Sequence, residues 1–281
     1  MNNLGEVPQT LSAAAEYGIE VLARRLAGLK LLALTGAGIS TDSGIPDYRG
    51  AGRVARHPMT FDSFMGSTEA QTRYWARSYV GWSRIAMAKP NAGHFALASA
   101  ELRGSIDAVI TQNVDGLHQA AGTRNIEELH GRLDRVICMQ CGQVEPRTRI
   151  DERLAEHNPG VAKSQEIEFT PDGDAEVAVE AGFRIPSCLN CGGVLKPDVV
   201  FFGEQVPPER VERCFALLAE AEALLVAGTS LAVNSGLRFA RQAAKTGKPV
   251  FIVNWGPTKA DELASAKIEG NTSLVLERLF S

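Results

Sequence analysis

The chain has 281 residues, 44% hydrophobic and 22% charged, values typical of a folded globular protein. Its formal net charge of −4 provides no basic stripe of the kind that nucleic-acid binding requires. No apolar run approaches the roughly 20 residues that cross a bilayer, and the N-terminal segment lacks the basic and apolar regions of an import signal. We therefore expect a cytoplasmic protein that binds neither nucleic acid nor membrane; a place in the mitochondrial matrix would require that a presequence has been removed.

Short apolar runs alternate with helical segments along most of the chain. The predicted elements are a helix over residues 11–29, strands at 31–34, 106–110, 223–227 and 250–253, and helices over 92–103 and 232–246. Strands that are apolar throughout and alternate with helices are typical of a parallel sheet with both faces covered. The sequence therefore predicts an α/β fold with a Rossmann-like parallel sheet.

Two stretches interrupt this alternation. Residues 51–90 are helical and rich in aromatic side chains, and residues 135–194 hold four cysteines and an acidic middle punctuated by glycine and proline. We interpret the first as a helical module and the second as a smaller inserted module. The Rossmann-like domain would then comprise residues 11–50, 91–134 and 195–281, with residues 195–202 returning to its sheet.

The inserted module contains two Cys-x-x-Cys pairs with 46 residues between them. The metal ligands would be Cys138, Cys141, Cys188 and Cys191. A glycine follows each pair, as in zinc knuckles, and four thiolates fill a tetrahedral zinc site without an open position. A redox pair or a disulfide is less consistent with two matched pairs and an odd total of five cysteines. The pattern predicts a structural zinc.

The first predicted strand ends in a glycine-rich turn, Gly36-Ala37-Gly38-Ile39-Ser40. Such a turn lets the backbone approach a pyrophosphate and opens a helix whose N-terminus favours negative charge. A tight turn without a ligand explains it equally well, because the third glycine of the dinucleotide fingerprint is absent. The continuation to Arg49 is too particular for a connector, and it is consistent with a loop over the nicotinamide end of a dinucleotide.

Polar residues also follow the second predicted strand. Gln112, Asn113 and Asp115 lie at its carboxyl end, the edge at which open α/β sheets bind ligands. Turn chemistry is the alternative, since Asn and Asp commonly shape loops. His130 precedes the inserted module, and a neutral imidazole accepts a proton near pH 7. The composition alone does not distinguish His130 from the other four histidines.

In combination these motifs resemble the sirtuin family, from about residue 20 to the end of the chain. The motifs that carry the resemblance are residues 36–40, 44–49, 111–115 and 129–131, the two cysteine pairs, residues 196–204 and residues 228–230. Residues 73–77, 201–203 and 254–258 are most similar to the class II branch, that of the mitochondrial sirtuin 4 type.

The resemblance implies a transferase that removes acyl groups from protein lysine side chains with NAD, releasing nicotinamide and O-acyl-ADP-ribose. Protein mono-ADP-ribosylation at the same NAD site is the alternative. A dehydrogenase would instead reduce the NAD, and a zinc-ribbon adaptor would leave the glycine turn without a purpose. The implied cofactors are NAD and one structural zinc, the partners are acylated proteins, and we expect a monomer.

The resemblance also implies roles for individual residues. His130 would be the general base, acting with Asn113 and Asp115, and it would deprotonate a ribose hydroxyl after nicotinamide has left. The cofactor-binding residues would be Gly36, Ala37, Gly38, Ser40, Thr41, Ile45, Asp47, Tyr48, Arg49, Gln112, Asn113, Asp115, Gly228, Thr229, Ser230, Asn254, Trp255 and Thr272. Val200, Phe201 and Phe202 would wall an acyl-lysine tunnel, and Gly203 and Glu204 would pair with the substrate backbone.

Four features depart from the common sirtuin pattern or bear on acyl preference. Tyr48 stands where many sirtuins have Phe, and residues 228–235 lack the proline that commonly follows that motif. The acidic residues 171–174 match a loop special to the class II branch. Tyr74 and Arg77 form the Y-x-x-R pattern by which another branch binds malonyl and succinyl groups, although we favour a surface pair on a helix, with Trp75 packing beside it.

Overall fold

The computed structural model describes residues 7–48, 58–161 and 182–281. The strands are β1 (Leu31–Thr35), β2 (Ile106–Thr111), β3 (Ile126–Glu128), β4 (Gly131–Cys138), β5 (Val144–Pro146), β6 (Leu195–Val199), β7 (Ala223–Ala227), β8 (Val250–Val253) and β9 (Ala266–Ile268). The α-helices are α1 (Ala13–Leu26), α2 (Phe61–Gly66), α3 (Thr68–Met87), α4 (Ala92–Leu102), α5 (Leu117–Ala120), α6 (Arg147–His157), α7 (Pro208–Glu220), α8 (Asn234–Lys245) and α9 (Thr272–Leu279).

Six strands form the main sheet in the order β3-β2-β1-β7-β8-β9, and every pairing in it is parallel. The chain moves outward from β1 in one direction through β2 and in the other through β7. Ligands of doubly wound sheets bind at such a reversal, beyond the carboxyl ends of the strands. The predicted Rossmann-like parallel sheet is confirmed.

Apolar side chains of β1 alternate between two cores. Leu31 and Ala33 pack on one face with residues of α1, α4 and α9, while Leu32 and Leu34 pack on the other with residues of α7 and α8. All four are essentially inaccessible to solvent. Covering both faces in this way explains why the strands are apolar throughout instead of alternating with polar residues.

The turn after β1 does not open the regular helix that the sequence predicts. Two single 3-10 turns, Ala37–Ile39 and Thr41–Ser43, follow instead. The Gly38 N–H donates to the Gly228 carbonyl at 2.7 Å, and the Thr41 hydroxyl donates to the Gly38 carbonyl at 3.1 Å. The second turn ends at Gly44, whose φ of +79° is left-handed, so the chain leaves the helical path before a regular helix can form.

A second, smaller sheet corrects another prediction. Residues 195–202 do not return to the main sheet, because β6 pairs antiparallel with β4 in the three-stranded order β5-β4-β6. The cysteine pairs explain this outcome. The Cys138 and Cys191 sulfurs are 3.5 Å apart, and the Met139 N–H binds the Val194 carbonyl at 2.8 Å. The segment after Cys191 is thereby held against the end of β4 and continues along it.

Helices α2 and α3 pack against this smaller sheet in one aromatic core. The Trp75 indole N–H donates to the Leu195 carbonyl at 3.0 Å. Arg147 of α6 is fully buried, donates to the Ser78 hydroxyl at 3.0 Å and lies over the rings of Trp75 and Trp82. The helical and cysteine-bearing segments thus share a core, while the predicted division of the chain into modules stays a prediction.

Within the described ranges, no helix is both long enough and apolar enough to cross a membrane. The cytoplasmic location stays a prediction.

Two buried histidines, His94 of α4 and His118 of α5, lie next to each other near the end of β1. The His94 and His118 ring centroids are 4.8 Å apart. The His94 Nδ1 accepts the Asn91 N–H at 3.3 Å, and the His118 Nε2 lies 2.9 Å from the Thr35 hydroxyl. Burial lowers the pKa of His94 to about 4. Burial, followed by the charge of His94, lowers the pKa of His118 well below its usual value.

Lowering the pH from 7 to 5 is therefore expected to destabilise the fold. Between these pH values the two histidines bind protons in the unfolded chain but stay neutral in the folded chain. The free energy of unfolding therefore falls as the pH falls through 6.5. His94 alone contributes a loss of roughly 2 kcal/mol at pH 5. Urea denaturation at pH 7 and at pH 5 measures the free energy of unfolding.

A His94→Gln variant should lose less stability between the two pH values. His157→Gln, on an exposed residue, should match the wild type. Equal pH dependence in all three proteins would contradict the assignment.

Candidate active site and metal centre

A cavity of about 1680 Å³ lies beyond the carboxyl ends of β1, β2, β7 and β8. The residues predicted to bind cofactor or substrate, and His130, all line this cavity where the structure describes them. Arg49 and the acidic residues 171–174 lie outside the described residues. Side chains that the sequence did not single out line it as well, among them Phe215 of α7 and Ser235 and Arg238 of α8.

Two glycine-containing loops form one wall of the cavity. The Gly38 N–H contacts the Gly228 carbonyl at 2.7 Å, and a Cβ on Gly38 would lie 2.9 Å from that oxygen. Gly228 has a φ of +64°, and a Cβ there would overlap the Ile39 nitrogen. These glycines are required because the loops after β1 and β7 touch through their backbones. The absence of side chains also leaves a bare backbone surface of the kind a pyrophosphate needs.

The loops after β1 and β2 meet through a chain of polar side chains. The Asn113 amide donates to the Gly36 carbonyl at 3.1 Å and to the Ser40 hydroxyl at 3.0 Å. The Ser40 hydroxyl in turn donates to the Asp115 carboxylate at 2.7 Å, and the Leu117 N–H donates to its other oxygen at 2.9 Å. Burial raises the pKa of Asp115, and these two hydrogen bonds oppose the rise. Amide and carboxylate groups of this kind are suited to bind a carboxamide.

His130 lies between the last residue of β3 and the first of β4. Its Nδ1 is 3.0 Å from the Gln112 carbonyl and its Nε2 is 2.9 Å from the Ser235 hydroxyl. Burial lowers the pKa of His130 to about 4; the hydrogen bond to Gln112 opposes this, and the charges of Arg210 and Arg238 add to it. The imidazole is therefore neutral at pH 7 and able to accept a proton.

The segment after β6 places one phenylalanine in the core and one at the cavity mouth. Phe201 packs against Phe64 and Tyr74, with ring centroids 5.3 and 5.1 Å away. Phe202 is 41% exposed and lies edge-on to Tyr48 at 6.1 Å. The Glu204 carboxylate accepts the Phe201 N–H at 2.8 Å, so that its side chain holds the turn and only its backbone remains for the predicted substrate pairing.

The Y-x-x-R residues do not form the surface pair that the sequence suggests. Tyr74 is only 2% exposed and lies edge-on to Phe64 and to Trp75. Neither Tyr74 nor Arg77 is among the described residues that line the cavity. The surface-pair interpretation is therefore wrong for Tyr74, whose ring supports Phe201 from behind.

The four predicted metal ligands come together at the end of β4. Their sulfur atoms all lie within 4.8 Å of one another, with 3.5 Å between Cys138 and Cys191 and 3.8 Å between Cys141 and Cys188. A tetrahedral zinc with Zn–S bonds of about 2.3 Å holds its sulfur atoms about 3.8 Å apart. The set fits zinc, and four thiolates leave no position for a substrate. None of the four is among the described residues that line the cavity, so the metal is structural.

Comparisons with known proteins agree with this geometry. The family model described as Sir2 family matches residues 36–235. NAD-dependent protein deacetylase 1 of Streptomyces coelicolor is 54% identical over 242 residues, which cover 85% of this chain and 81% of that protein. NAD-dependent protein deacetylase 1 of Mycobacterium avium is 49% identical over 90% of this chain and 92% of its own. A solved structure of Sir2 with a p53 peptide and NAD+ is similar with a TM-score of 0.75 at 30% identity, covering 93% of this chain and 96% of that one.

Replacing one exposed ligand tests the metal centre. We expect Cys141→Ala to reduce bound zinc from one ion per chain to less than about a tenth of one, because three thiolates hold a structural zinc much more weakly and its binding energy is folding energy. Elemental analysis of the purified protein and its thermal midpoint measure the two effects. The matched control is Cys214→Ala, at the fifth cysteine, which should keep its zinc. Full zinc occupancy in Cys141→Ala would refute the four-thiolate site.

Proposed function

The chain belongs to the Sir2 family, and we propose from this that it removes acyl groups from protein lysine side chains with NAD, releasing nicotinamide and O-acyl-ADP-ribose. It is an enzyme of the NAD-dependent protein deacetylase type with a structural zinc site. Acetyl is the acyl group that its relatives' names support, and the wider range of acyl groups is our proposal. One observation carries it: a single cavity is lined by a neutral histidine, the Asn113–Ser40–Asp115 chain and the Val200–Glu204 segment.

The cavity residues fit NAD in three groups. We assign the pyrophosphate and riboses to the two touching loops, with Gln112 beside the ribose nearest His130. Asn113 and Asp115, oriented by Ser40, would bind the carboxamide. The adenosine part of NAD would bind to Asn254, Trp255 and Thr272, and Thr272 is the first residue of α9. When bound, NAD supplies a ribose carbon that becomes electrophilic as nicotinamide departs.

His130 accepts the proton in this proposal. The Gln112 carbonyl can only accept a hydrogen bond, so the His130 Nδ1 carries the ring proton and the Nε2 carries the lone pair. Its lowered pKa keeps the lone pair available at neutral pH. A hydroxyl group presented at Nε2 loses its proton to His130, which makes the oxygen a better nucleophile. Such assistance is worth roughly 100- to 10,000-fold.

The Val200–Glu204 segment would receive the acyl-lysine. The Val200 N–H is bonded to the His130 carbonyl at 2.8 Å, so the segment starts beside the general base. Phe201 and Phe202 provide apolar walls that exclude water, and the Gly203 and Glu204 backbone would pair with the substrate as a strand. A dry, oriented site of this kind contributes much of the acceleration through positioning.

We propose finer assignments of branch, location, oligomeric state and partners. Residues 73–77, 201–203 and 254–258 support a place in the class II branch, of the sirtuin 4 type. The protein acts in the cytoplasm, as a monomer, on acylated proteins.

Replacing the general base tests the reaction. We expect His130→Ala to lower kcat for deacetylation by roughly 100- to 10,000-fold, because the variant lacks the imidazole that accepts the hydroxyl proton. The affinity for NAD should change little, since the cavity's loops stay in place. Nicotinamide release from an acetyl-lysine peptide and NAD titration by calorimetry measure the two quantities. The control is His157→Ala, on an exposed residue away from the cavity. An unchanged rate in His130→Ala would exclude the mechanism.

Mass spectrometry of the protein substrate separates this function from mono-ADP-ribosylation. Deacylation removes the mass of the acyl group, whereas ADP-ribosylation adds that of ADP-ribose. A gain of the ADP-ribose mass, without loss of the acyl group, would contradict the proposed deacylation.

The buried position of Tyr74 generates a prediction about acyl preference. Because its phenol packs behind Phe201, Tyr74 and Arg77 do not present a joint site for an acidic acyl group. We expect a succinyl peptide to release about tenfold less nicotinamide than an acetyl peptide, since it is costly to bury a carboxylate that this pair of residues does not bind. A panel of acetyl, fatty acyl, 3-hydroxy-3-methylglutaryl, lipoyl and succinyl peptides measures this. Arg77→Ala should leave the preference unchanged; faster succinyl turnover that is lost in Arg77→Ala would contradict it.

A further inference from the structure

We propose that Ser235 is a positioning residue for His130, which holds the basic Nε2 in place until a substrate hydroxyl replaces the serine hydroxyl there. The inference deepens the proposed function and rests on it for the role of His130. It begins from one contact, the distance of 2.9 Å between the Ser235 Oγ and the His130 Nε2. The serine belongs to the 228–235 segment, where the proline common in sirtuins is missing.

The direction of this hydrogen bond follows from the other side of the ring. The His130 Nδ1 must donate to the Gln112 carbonyl, 3.0 Å away, because that oxygen can only accept. The neutral ring then carries no proton on Nε2. Ser235 is therefore the donor, and its hydroxyl occupies the lone pair that the general base uses.

The position of Ser235 in its helix shows that the hydroxyl has no competing local role. Serine near the start of a helix commonly caps the exposed N–H groups. The residue before α8 is Val233, and within the described chain no side chain caps this helix. Ser235 lies in the first turn and turns its hydroxyl to the histidine instead.

The same end of α8 also supports the second anchor of the ring. A Cβ on Gly236 would lie 2.6 Å from the Gln112 Oε1, so a larger residue here would force the glutamine side chain to shift. The Gln112 amide donates to the Thr35 carbonyl at 3.1 Å and to the Thr229 hydroxyl at 3.0 Å. Both ring nitrogens of His130 are therefore held by residues fixed against the start of α8: Ser235 directly, and Gln112 through its packing on Gly236.

This arrangement allows the exchange that catalysis needs. The lone pair on Nε2 accepts one strong hydrogen bond in the ring plane, so an incoming hydroxyl must take the place of the serine hydroxyl. Rotation about the Cα–Cβ and Cβ–Oγ bonds of Ser235 moves its hydroxyl away from Nε2. This rotation requires no movement of the backbone. The serine keeps its own proton throughout, and His130 receives the proton of the substrate hydroxyl.

The test compares Ser235→Ala and Ser235→Thr in the full-length, zinc-loaded protein. Loss of one neutral hydrogen bond is expected to lower kcat for acetyl-peptide deacetylation by about 2- to 10-fold. KM for NAD should stay within about twofold, because the serine hydroxyl is displaced only after nicotinamide has left, when the ribose hydroxyl reaches Nε2. Ser235→Thr keeps the hydroxyl and should restore kcat. Ser83→Ala, which removes a hydroxyl bonded within α3, is the matched control and should behave as the wild type.

Nitrogen NMR of the His130 ring gives a readout that does not depend on activity. The wild type should show a protonated Nδ1 and an unprotonated Nε2, and the Nε2 resonance should move downfield in Ser235→Ala and return in Ser235→Thr. An unprotonated Nδ1, or an Nε2 resonance unaffected by the alanine substitution, would overturn the inference. A loss of kcat that threonine does not restore would overturn it too. A wild-type protein that releases no nicotinamide would refute the proposed function instead, while the NMR result would still decide the contact.

Discussion

The backbone contact between Gly38 and Gly228 is the constraint on which the site depends. It joins the loops that leave β1 and β7, the two neighbouring strands from which the chain winds in opposite directions. The Gln112 amide also bridges β1 and the loop after β7, since it donates to the Thr35 carbonyl and to the Thr229 hydroxyl. A side chain on either glycine would push the loops apart, and the wall of the cavity and the anchor of His130 would move together.

His130 stands where the two sheets of the molecule meet. The strand before it, β3, belongs to the parallel sheet, and β4, which begins at the next residue, belongs to the small antiparallel one. Its carbonyl accepts the Val200 N–H, so the proposed general base and the start of the proposed substrate segment share a hydrogen bond. A zinc on the four cysteines would contribute to this indirectly, because it would tie the end of β4 to the segment that leads into β6. A metal without a chemical role would thereby help to set the distance between the proposed base and the proposed substrate segment.

The sequence predicted most of the parallel sheet and which residues would face one cavity, because buried apolar runs identify strands and parallel strands end at the same edge. It was wrong about residues 195–202, since the partner of a strand is not encoded in the strand itself; the cysteine pairs, 46 residues apart, decide it. It was wrong about the helix after Gly38, because Gly44 takes a left-handed conformation that ends the second short turn. Ser235 was not predicted because nothing in its own segment shows that the His130 ring, 105 residues away in sequence, lies against it. The individual roles came from the resemblance to sirtuins, as spacing alone does not distinguish one histidine from another.

The hydrogen bond from Trp75 to the Leu195 carbonyl has a consequence for how the chain is made. Its partners are 120 residues apart, and the aromatic core around Trp75 is completed by Leu195, Val199 and Phe201. During synthesis α3 therefore leaves the ribosome long before the residues that bury it. Contacts of such separation form late and leave apolar surface exposed in the meantime. We expect the nascent chain to depend on chaperones until the second cysteine pair has emerged and bound its metal.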